Sequence, residues 1–292
     1  MIDITKLGYS QYKLYFKFQN TTIEKENQII DYWLKDNSSV WVGQIRGPWD
    51  LAVSILEKNN YDFGQTLTKF MQKFSQYILQ KDVLLTEYSP MYSREYLTGR
   101  ANEQSEFINK TPPQTQASNL RGQENYLKGP KEFLYGIPSQ TYELNETDKK
   151  ILSELSNNAR IPILKLADLT HLSRDIINYR IKKLTKENII VQYRTYLNLE
   201  NLNIRHYKVI FRMKNFSPQE EEKIKDYVKK HEKATQLLKL IGSYDLEIEF
   251  EVQDEDELYK ILHNLRQKFS SIIRDFDIIR IIKTHKLDFF PF

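Results

Sequence analysis

The stretch HYKVIFRMK at residues 206–214 has a counterpart near the start of the chain, QYKLYFKFQ at residues 11–19. The match extends well beyond these two stretches, because residues 12–88 align with residues 207–283 at one constant offset and without a gap. Identical pairs recur along the alignment: Tyr12/Tyr207, Phe16/Phe211, Asn20/Asn215, Tyr32/Tyr227, Gly47/Gly242, Asp50/Asp245 and Phe74/Phe269. The chain therefore contains one module twice, with a different segment between the copies.

The second copy shows the order of elements in the module. Residues 206–214 alternate apolar and mostly basic side chains, which is the period of two expected of a half-buried strand. A helix capped by Ser217, two strands joined at Gly242-Ser243, a second helix and a last strand follow. The order βαββαβ is typical of a ferredoxin-like sandwich, in which the helices cover one face of the sheet.

The uncovered face of each module needs a partner. The third strand of the first copy, LAVSIL at 51–56, lacks the glutamates that alternate along the equivalent strand at 246–252. An apolar strand on both sides indicates a more fully covered sheet. The two copies can pack against each other within the chain, or each against a second chain, and the sequence leaves both arrangements open. We expect a homodimer or a higher homo-oligomer.

The segment between the modules predicts three short helices. LNETDKKILSELSNN at 144–158 begins a helix capped by Asn145, the next helix begins at Pro162, and Ser173 caps the third. The third helix has an apolar side at i, i+4, i+7 formed by Ile177, Ile181 and Leu184. IIVQYRTYLNL at 189–199 alternates like a strand pair or wing. This is the plan of a winged helix-turn-helix, whose third helix enters the major groove.

Charge is concentrated in this head. Basic residues outnumber acidic ones between 160 and 194, whereas the modules are close to balanced within a chain of net charge +4. Arg180 lies nearer the buried side and is expected to pair with an acidic neighbour in the core. The residues predicted to contact DNA bases or backbone are Arg160, Ser173, Arg174, Asn178, Tyr179, Lys182, Lys183, Lys186 and Arg194.

Residues 144–193 resemble the winged helix-turn-helix of the Lrp/AsnC family of transcriptional regulators, and the residues up to about Lys286 resemble its ligand-binding module. The resemblance rests on the core at 148–155, Ala-Arg-Ile at 159–161, Leu-Ser at 172–173, Arg-Ile at 180–181 and Gly-Ser-Tyr-Asp at 242–245. It implies a sequence-specific regulator that binds double-stranded DNA and responds to a small effector such as an amino acid. The effector residues it implies are Gly242, Tyr244 and Asp245, repeated as Gly47, Trp49 and Asp50.

Two departures from the family occur where its members carry glycine. Asn188 follows the third helix, and asparagine tolerates the left-handed conformation of a helix C-cap. His171 lies in the turn before the third helix, where it either strains the turn or adds a phosphate contact.

The predicted chain is α+β, with two ferredoxin-like modules flanking one winged helix-turn-helix. The predicted boundaries are an N-terminal module at 1–89, a polar flexible linker at 90–141, the head at 142–200 and a C-terminal module at 201–292. The absence of cysteine excludes disulfides and cysteine zinc sites, and the five histidines lack HExxH spacing, so no metal is expected. No apolar run or signal peptide indicates a membrane, and we expect a cytoplasmic protein.

Two other functions fit the same organisation. Sirohaem decarboxylases combine similar heads and modules to bind a tetrapyrrole, but no constellation of acid, base and nucleophile is evident here. A protein with two modules and one head could instead heterodimerise with complete regulators and modulate them. We favour the DNA-binding regulator, with no catalytic residues and no cofactor.

Overall fold

The computed structural model describes residues 1–92, 94–97, 131–134, 141–288 and 290–291, with only the main chain described at 95 and 131–134. Most of the predicted linker lies outside these residues. The first module comprises β1 (Ser10–Phe18), α1 (Ile23–Lys35), β2 (Ser39–Arg46), β3 (Leu51–Glu57), α2 (Asn60–Phe74) and β4 (Ile78–Met91). A short strand, β5 (Lys131–Leu134), pairs with the end of β4.

The head contains α3 (Glu146–Asn157), α4 (Ile163–Thr170) and α5 (Arg174–Lys186). The second module comprises β6 (Arg205–Met213), α6 (Pro218–Lys229), β7 (Ala234–Ile241), β8 (Leu246–Val252), α7 (Glu255–Lys268) and β9 (Ile273–Leu287). Most helices begin at a capping residue whose side chain accepts a hydrogen bond from the third helical amide, as Asn145, Ser173 and Ser217 do. The predicted βαββαβ order is confirmed in both copies. None of the helices in the described residues combines the length and the hydropathy needed to cross a bilayer.

The strands of both modules form one closed sheet. Its order is β1-β3-β2-β9-β6-β8-β7-β4, and β4 also pairs with β1, which closes a ring of eight strands. The long strands β4 and β9 each pair first within their own module and then with the other module, so the seams are β2–β9 and β4–β7. The two modules of the chain therefore pair with each other, which the sequence left open.

Hydrophobic residues fill both sides of this sheet. Each module has its own core beneath its two helices, built around Trp33 and Phe70 in the first module and Phe211 and Phe250 in the second. A third cluster lies between the inner faces of the two half-sheets and contains residues of both modules: Tyr15, Ile45, Trp49, Ala52, Leu84, Ile210, Leu238, Leu240, Tyr244 and Ile279. The uncovered face that the sequence assigned to each module is thus buried against the other.

Candidate nucleic-acid interface

Helix α5 is held in the head by its apolar side. Ile177, Ile181 and Leu184 are buried in a core that includes Ile151, Leu152 and Leu166 from the two preceding helices. This side is the one that the i, i+4, i+7 spacing predicts. Because the apolar side faces inward, the opposite side of the helix is directed outward.

A buried ion pair fixes the orientation of α5. The Nε of Arg180 donates to Oδ1 of Asp148 at 2.6 Å, and its Nη2 donates to Oδ2 of the same carboxylate. Asp148 is fully buried on α3, and its hydrogen bonds raise the pKa of Arg180. This bidentate contact confirms the predicted pairing and joins the first helix of the head to the third.

The outward side of α5 is open to solvent. Tyr179 is 62% exposed, and Ile176 beside it is 45% exposed. The predicted contact residues on this helix or at its cap that are exposed are Ser173, Arg174, Asn178, Tyr179, Lys182 and Lys186, while Lys183 is half-buried. Arg160 is exposed in the connection between α3 and α4. The structure thus presents one helix face with arginine, asparagine and lysine side chains and without a covering element among the described residues.

Arg194 departs from this arrangement. Its Nη2 donates to the main-chain oxygen of Tyr92 at 2.7 Å, beside the last strand of the first module. The guanidinium is mostly buried there, and this burial lowers its pKa. Arg194 therefore joins the head to the modules instead of pointing toward the face that α5 presents.

The predicted wing takes a different form. Residues 191–199 form no strand pair; instead, Ile190 pairs with Ile2 in an isolated antiparallel bridge. The amide of Asp3 donates to the oxygen of Ile189 at 2.8 Å, and the amide of Val191 donates to the oxygen of Met1 at 3.1 Å. The alternation at 189–192 indicates extended backbone, but the partner lies at the opposite end of the sequence.

The head shares its core with residues outside it. Leu7 and Phe290 are buried in the same cluster as the helices of the head, and Ile2 and Tyr9 pack against it. The Nζ of Lys6 donates to the oxygen of Glu187 at 2.9 Å. Residues assigned from sequence to the two modules thus complete the head, which fixes its orientation relative to the ring.

The two departures from the family occupy left-handed positions. His171, the C-cap of α4, has a φ of 57°, and Asn188 has a φ of 54°. This conformation is sterically strained for a residue with a Cβ but not for glycine, and the strain is smaller for asparagine than for most other residues.

We expect His171→Gly to raise the free energy of unfolding by about 1 kcal/mol, because the strain at this C-cap is removed. Asn188→Gly is the matched control and should give a smaller gain. Urea unfolding measures both. DNA affinity should not change in either variant; a loss of affinity specific to His171→Gly would show that the imidazole contacts phosphate.

The residues predicted for an effector lie in two equivalent turns. Gly47 and Gly242 have φ values of 141° and 150°, and each turn packs against a strand of the other module. The carboxylate of Asp50 accepts from the amide of Phe18 at 2.8 Å, and that of Asp245 accepts from the amide of Met213 at 2.7 Å.

The aromatic residues of these turns are buried between the modules. Trp49 is 4% exposed and Tyr244 is 2% exposed, and the hydroxyl of Tyr244 donates to Asp277 at 2.7 Å. Burial raises the pKa of Tyr244 to about 12. All six residues therefore have structural roles: the glycines and aromatic residues pack between the modules, and the aspartates bind main-chain amides of their own modules. Effector binding there stays a prediction.

Comparison with known proteins places the head in a recognised class. Residues 144–191 match a family model described as winged helix-turn-helix DNA-binding. The HTH-type transcriptional regulator FL11 of Pyrococcus horikoshii is 23% identical over 145 residues, which are 49% of this chain and 92% of that protein. A proline dehydrogenase transcriptional activator of Rhizobium radiobacter is 26% identical over 136 residues, 46% of this chain and 84% of that protein.

The similarity in fold extends over the whole chain. The crystal structure of the siroheme decarboxylase NirDL superposes with a TM-score of 0.61 at 10% identity and covers 100% of this chain and 77% of that one. At this identity the likeness shows the fold alone. Together the comparisons confirm the predicted winged helix-turn-helix, its similarity to transcriptional regulators and the predicted α+β class.

Proposed function

We propose that this chain is a DNA-binding transcriptional regulator of the Lrp/AsnC type. The observation that carries the proposal is the open outward side of α5, on a head that matches the winged helix-turn-helix DNA-binding family. The curated relatives named above are transcriptional regulators, which supports the same function. A buried third helix would have argued against it.

The side chains on α5 divide by chemistry into two roles. Arg174 and Asn178 can form bidentate hydrogen bonds with the edges of guanine and adenine in the major groove. Lys182, Lys183 and Lys186 carry point charges that neutralise phosphates and release counterions. Tyr179 presents an exposed ring and hydroxyl beside them. Contacts to phosphate would position the helix, and contacts to bases would select the sequence.

We expect the double substitution Lys182→Glu/Lys183→Glu to weaken binding to duplex DNA by about 10- to 100-fold at moderate salt, because two attractive charges become repulsive. Fluorescence anisotropy with a labelled duplex across a salt series measures this. Lys229→Glu/Lys230→Glu changes the same charge on two exposed lysines at the end of α6 and is the matched control. An equal loss of DNA affinity in both double variants, or a wild-type affinity that does not depend on salt concentration, would contradict the proposal.

A single head gives few base contacts, so we propose that the protein binds DNA as a homo-oligomer. Two heads on half-sites about one helical turn apart would supply the affinity that one head lacks. Light-scattering mass, with and without a duplex that carries two half-sites, tests this: binding as a single chain would contradict it.

A small effector such as an amino acid is proposed at the two equivalent turns that contain Gly47 and Gly242. Support comes only from the family resemblance and from their position between the modules. Thermal denaturation in the presence of each amino acid tests the proposal, because a ligand that binds the folded chain raises its melting temperature.

An enzyme is the second candidate, because the fold resembles that of a siroheme decarboxylase over the full chain. Addition of a sirohaem-type tetrapyrrole and measurement of its absorbance distinguishes the two functions. A regulator should leave the spectrum unchanged, whereas a shifted absorbance band or release of carbon dioxide would favour the enzyme.

A further inference from the structure

Three glutamates alternate along β8 in the interior of the ring. Glu247 and Glu251 are 0% exposed and Glu249 is 8% exposed. Their side chains share one face of the strand, because successive residues of a strand point to opposite sides. Carboxylates are almost never buried to this extent unless they are paired.

Each glutamate is paired, and the cations come from both modules. Glu247 accepts from Lys13 of the first module, from the Tyr15 hydroxyl at 2.8 Å and from Lys208 of the second module at 2.9 Å. Lys208 also donates to Glu249, whose other oxygen lies 2.9 Å from Nε2 of His206.

Glu251 takes its cation from the chain that leaves the first module. Arg94 donates through Nε at 2.8 Å and Nη2 at 2.7 Å, and Tyr96 donates its hydroxyl to the same carboxylate. Lys13 of the first module and Arg94 of the segment that follows it therefore neutralise acids of the second module at two separate places.

The duplication makes the asymmetry of this cluster visible. Lys13 and Lys208 occupy equivalent positions in the two copies, but the positions equivalent to the three glutamates hold Ala52, Ser54 and Leu56. Both modules contribute a buried lysine, and only the second contributes buried acids. Burial lowers the pKa of Lys13 to about 8 even beside Glu247, so its charge depends on that carboxylate.

Two copies of the same module, packed face to face, could not balance these charges. Two first modules facing each other would bury two lysines and none of the three acids. Two second modules would bury six carboxylates against two lysines and two histidines. A first module opposite a second module brings Lys13 to Glu247, while Lys208 keeps Glu247 and Glu249 of its own module as partners.

We propose that this ion cluster is a pairing code that restricts the acidic inner face of the second module to a partner with a cationic inner face, which in this chain is the first module. Buried polar groups that fix the choice and register of a partner act by making the wrong pairing costly. The inference is independent of DNA binding. It also disfavours the modulator hypothesis, because a regulator module without such cations could not replace the first module.

Mixing two complementary chains tests the code. The chain contains no cysteine, and the Ser243 hydroxyl donates to Asp82 across the module interface, so cysteines at these positions report which modules meet. One tagged chain carries Lys13→Glu and Asp82→Cys, and the co-expressed second chain carries Glu247→Lys and Ser243→Cys. Charges of one sign then face each other within each chain, whereas opposite charges meet between the two chains.

We expect oxidation of this mixture to give a covalent dimer that contains both tags, at twice the chain mass of 35.0 kDa. Asp82→Cys and Ser243→Cys on two otherwise wild-type chains should give almost no dimer. Lys13→Glu on both chains should give none. A single chain that carries Lys13→Glu, Glu247→Lys and both cysteines should form its disulfide within itself and give no covalent dimer.

Two results would overturn the code. The first is a mixture that forms no heterodimer, including a case in which the two variants fail to fold even when they are expressed together. The second is an equal yield of covalent dimer from the control mixtures, in which the chains are otherwise wild-type or both carry Lys13→Glu. Pairing would then not depend on the charges of the cluster.

Discussion

Replacement of Glu247 by leucine is expected to lower the free energy of unfolding by about 3–5 kcal/mol, the range found when one partner of a buried ion pair is removed. Lys208 keeps Glu249 as a partner in this variant. Lys13, which is 3% exposed, loses the carboxylate that it contacts, and the buried hydroxyl of Tyr15 loses its acceptor. Urea unfolding followed by circular dichroism measures the change.

Two further variants test whether the loss of stability comes from the unpaired Lys13 or from a general disturbance of the module. Glu232→Leu removes an exposed carboxylate of the same module and should change stability by no more than about 0.5 kcal/mol. The double substitution Lys13→Met/Glu247→Leu should recover part of the loss, because it leaves no unpaired lysine at position 13. If the double variant is less stable than Glu247→Leu alone, the unpaired ammonium is not the source of the effect.

Gly47→Ala is expected to lower the free energy of unfolding by about 2–5 kcal/mol, the sum of backbone strain and overpacking. The φ of 141° is one that residues with a Cβ rarely adopt, and a Cβ here would lie 2.4 Å from the main-chain oxygen of Ile278. Ile278 belongs to β9 of the second module, so neither the turn at Gly47 nor the strand at Ile278 can move without disturbing the seam between β2 and β9. Thermal and urea unfolding measure the loss.

Gly64→Ala is the matched control for this substitution. Gly64 lies inside α2, and a Cβ there would meet nothing within 4 Å. Alanine has the higher helix propensity, so this variant should be more stable than the wild type by about 1 kcal/mol. Similar losses in both variants would show that the turn at Gly47 imposes no special requirement.

Local patterns predicted the elements of this fold and the orientation of α5. The period of two in the strands and the spacing of Ile177, Ile181 and Leu184 depend on neighbours in sequence, and the structure confirms both. Arg180 was also predictable, because its position lies at the border of the apolar side of its helix.

Pairings between distant residues were not predictable in this way. The alternation along β8 resembles a half-buried strand with an acidic outer face, yet Glu247 is buried because Lys13 approaches it from the other module. Arg194 and the segment at 189–192 were misplaced for a similar reason, since their partners are Tyr92 and residues 1–3. A single sequence carries no direct signal for such contacts.

The seam between β2 and β9 means that the ring of strands closes late in synthesis. Strand β2 pairs with residues 280–287, which are synthesised long after β2 itself. At ordinary rates of translation the nascent first module waits on the order of tens of seconds with the edge of β2 and its inner face uncovered. During that interval it resembles an exposed sheet edge of the kind that chaperones bind and that aggregation recruits.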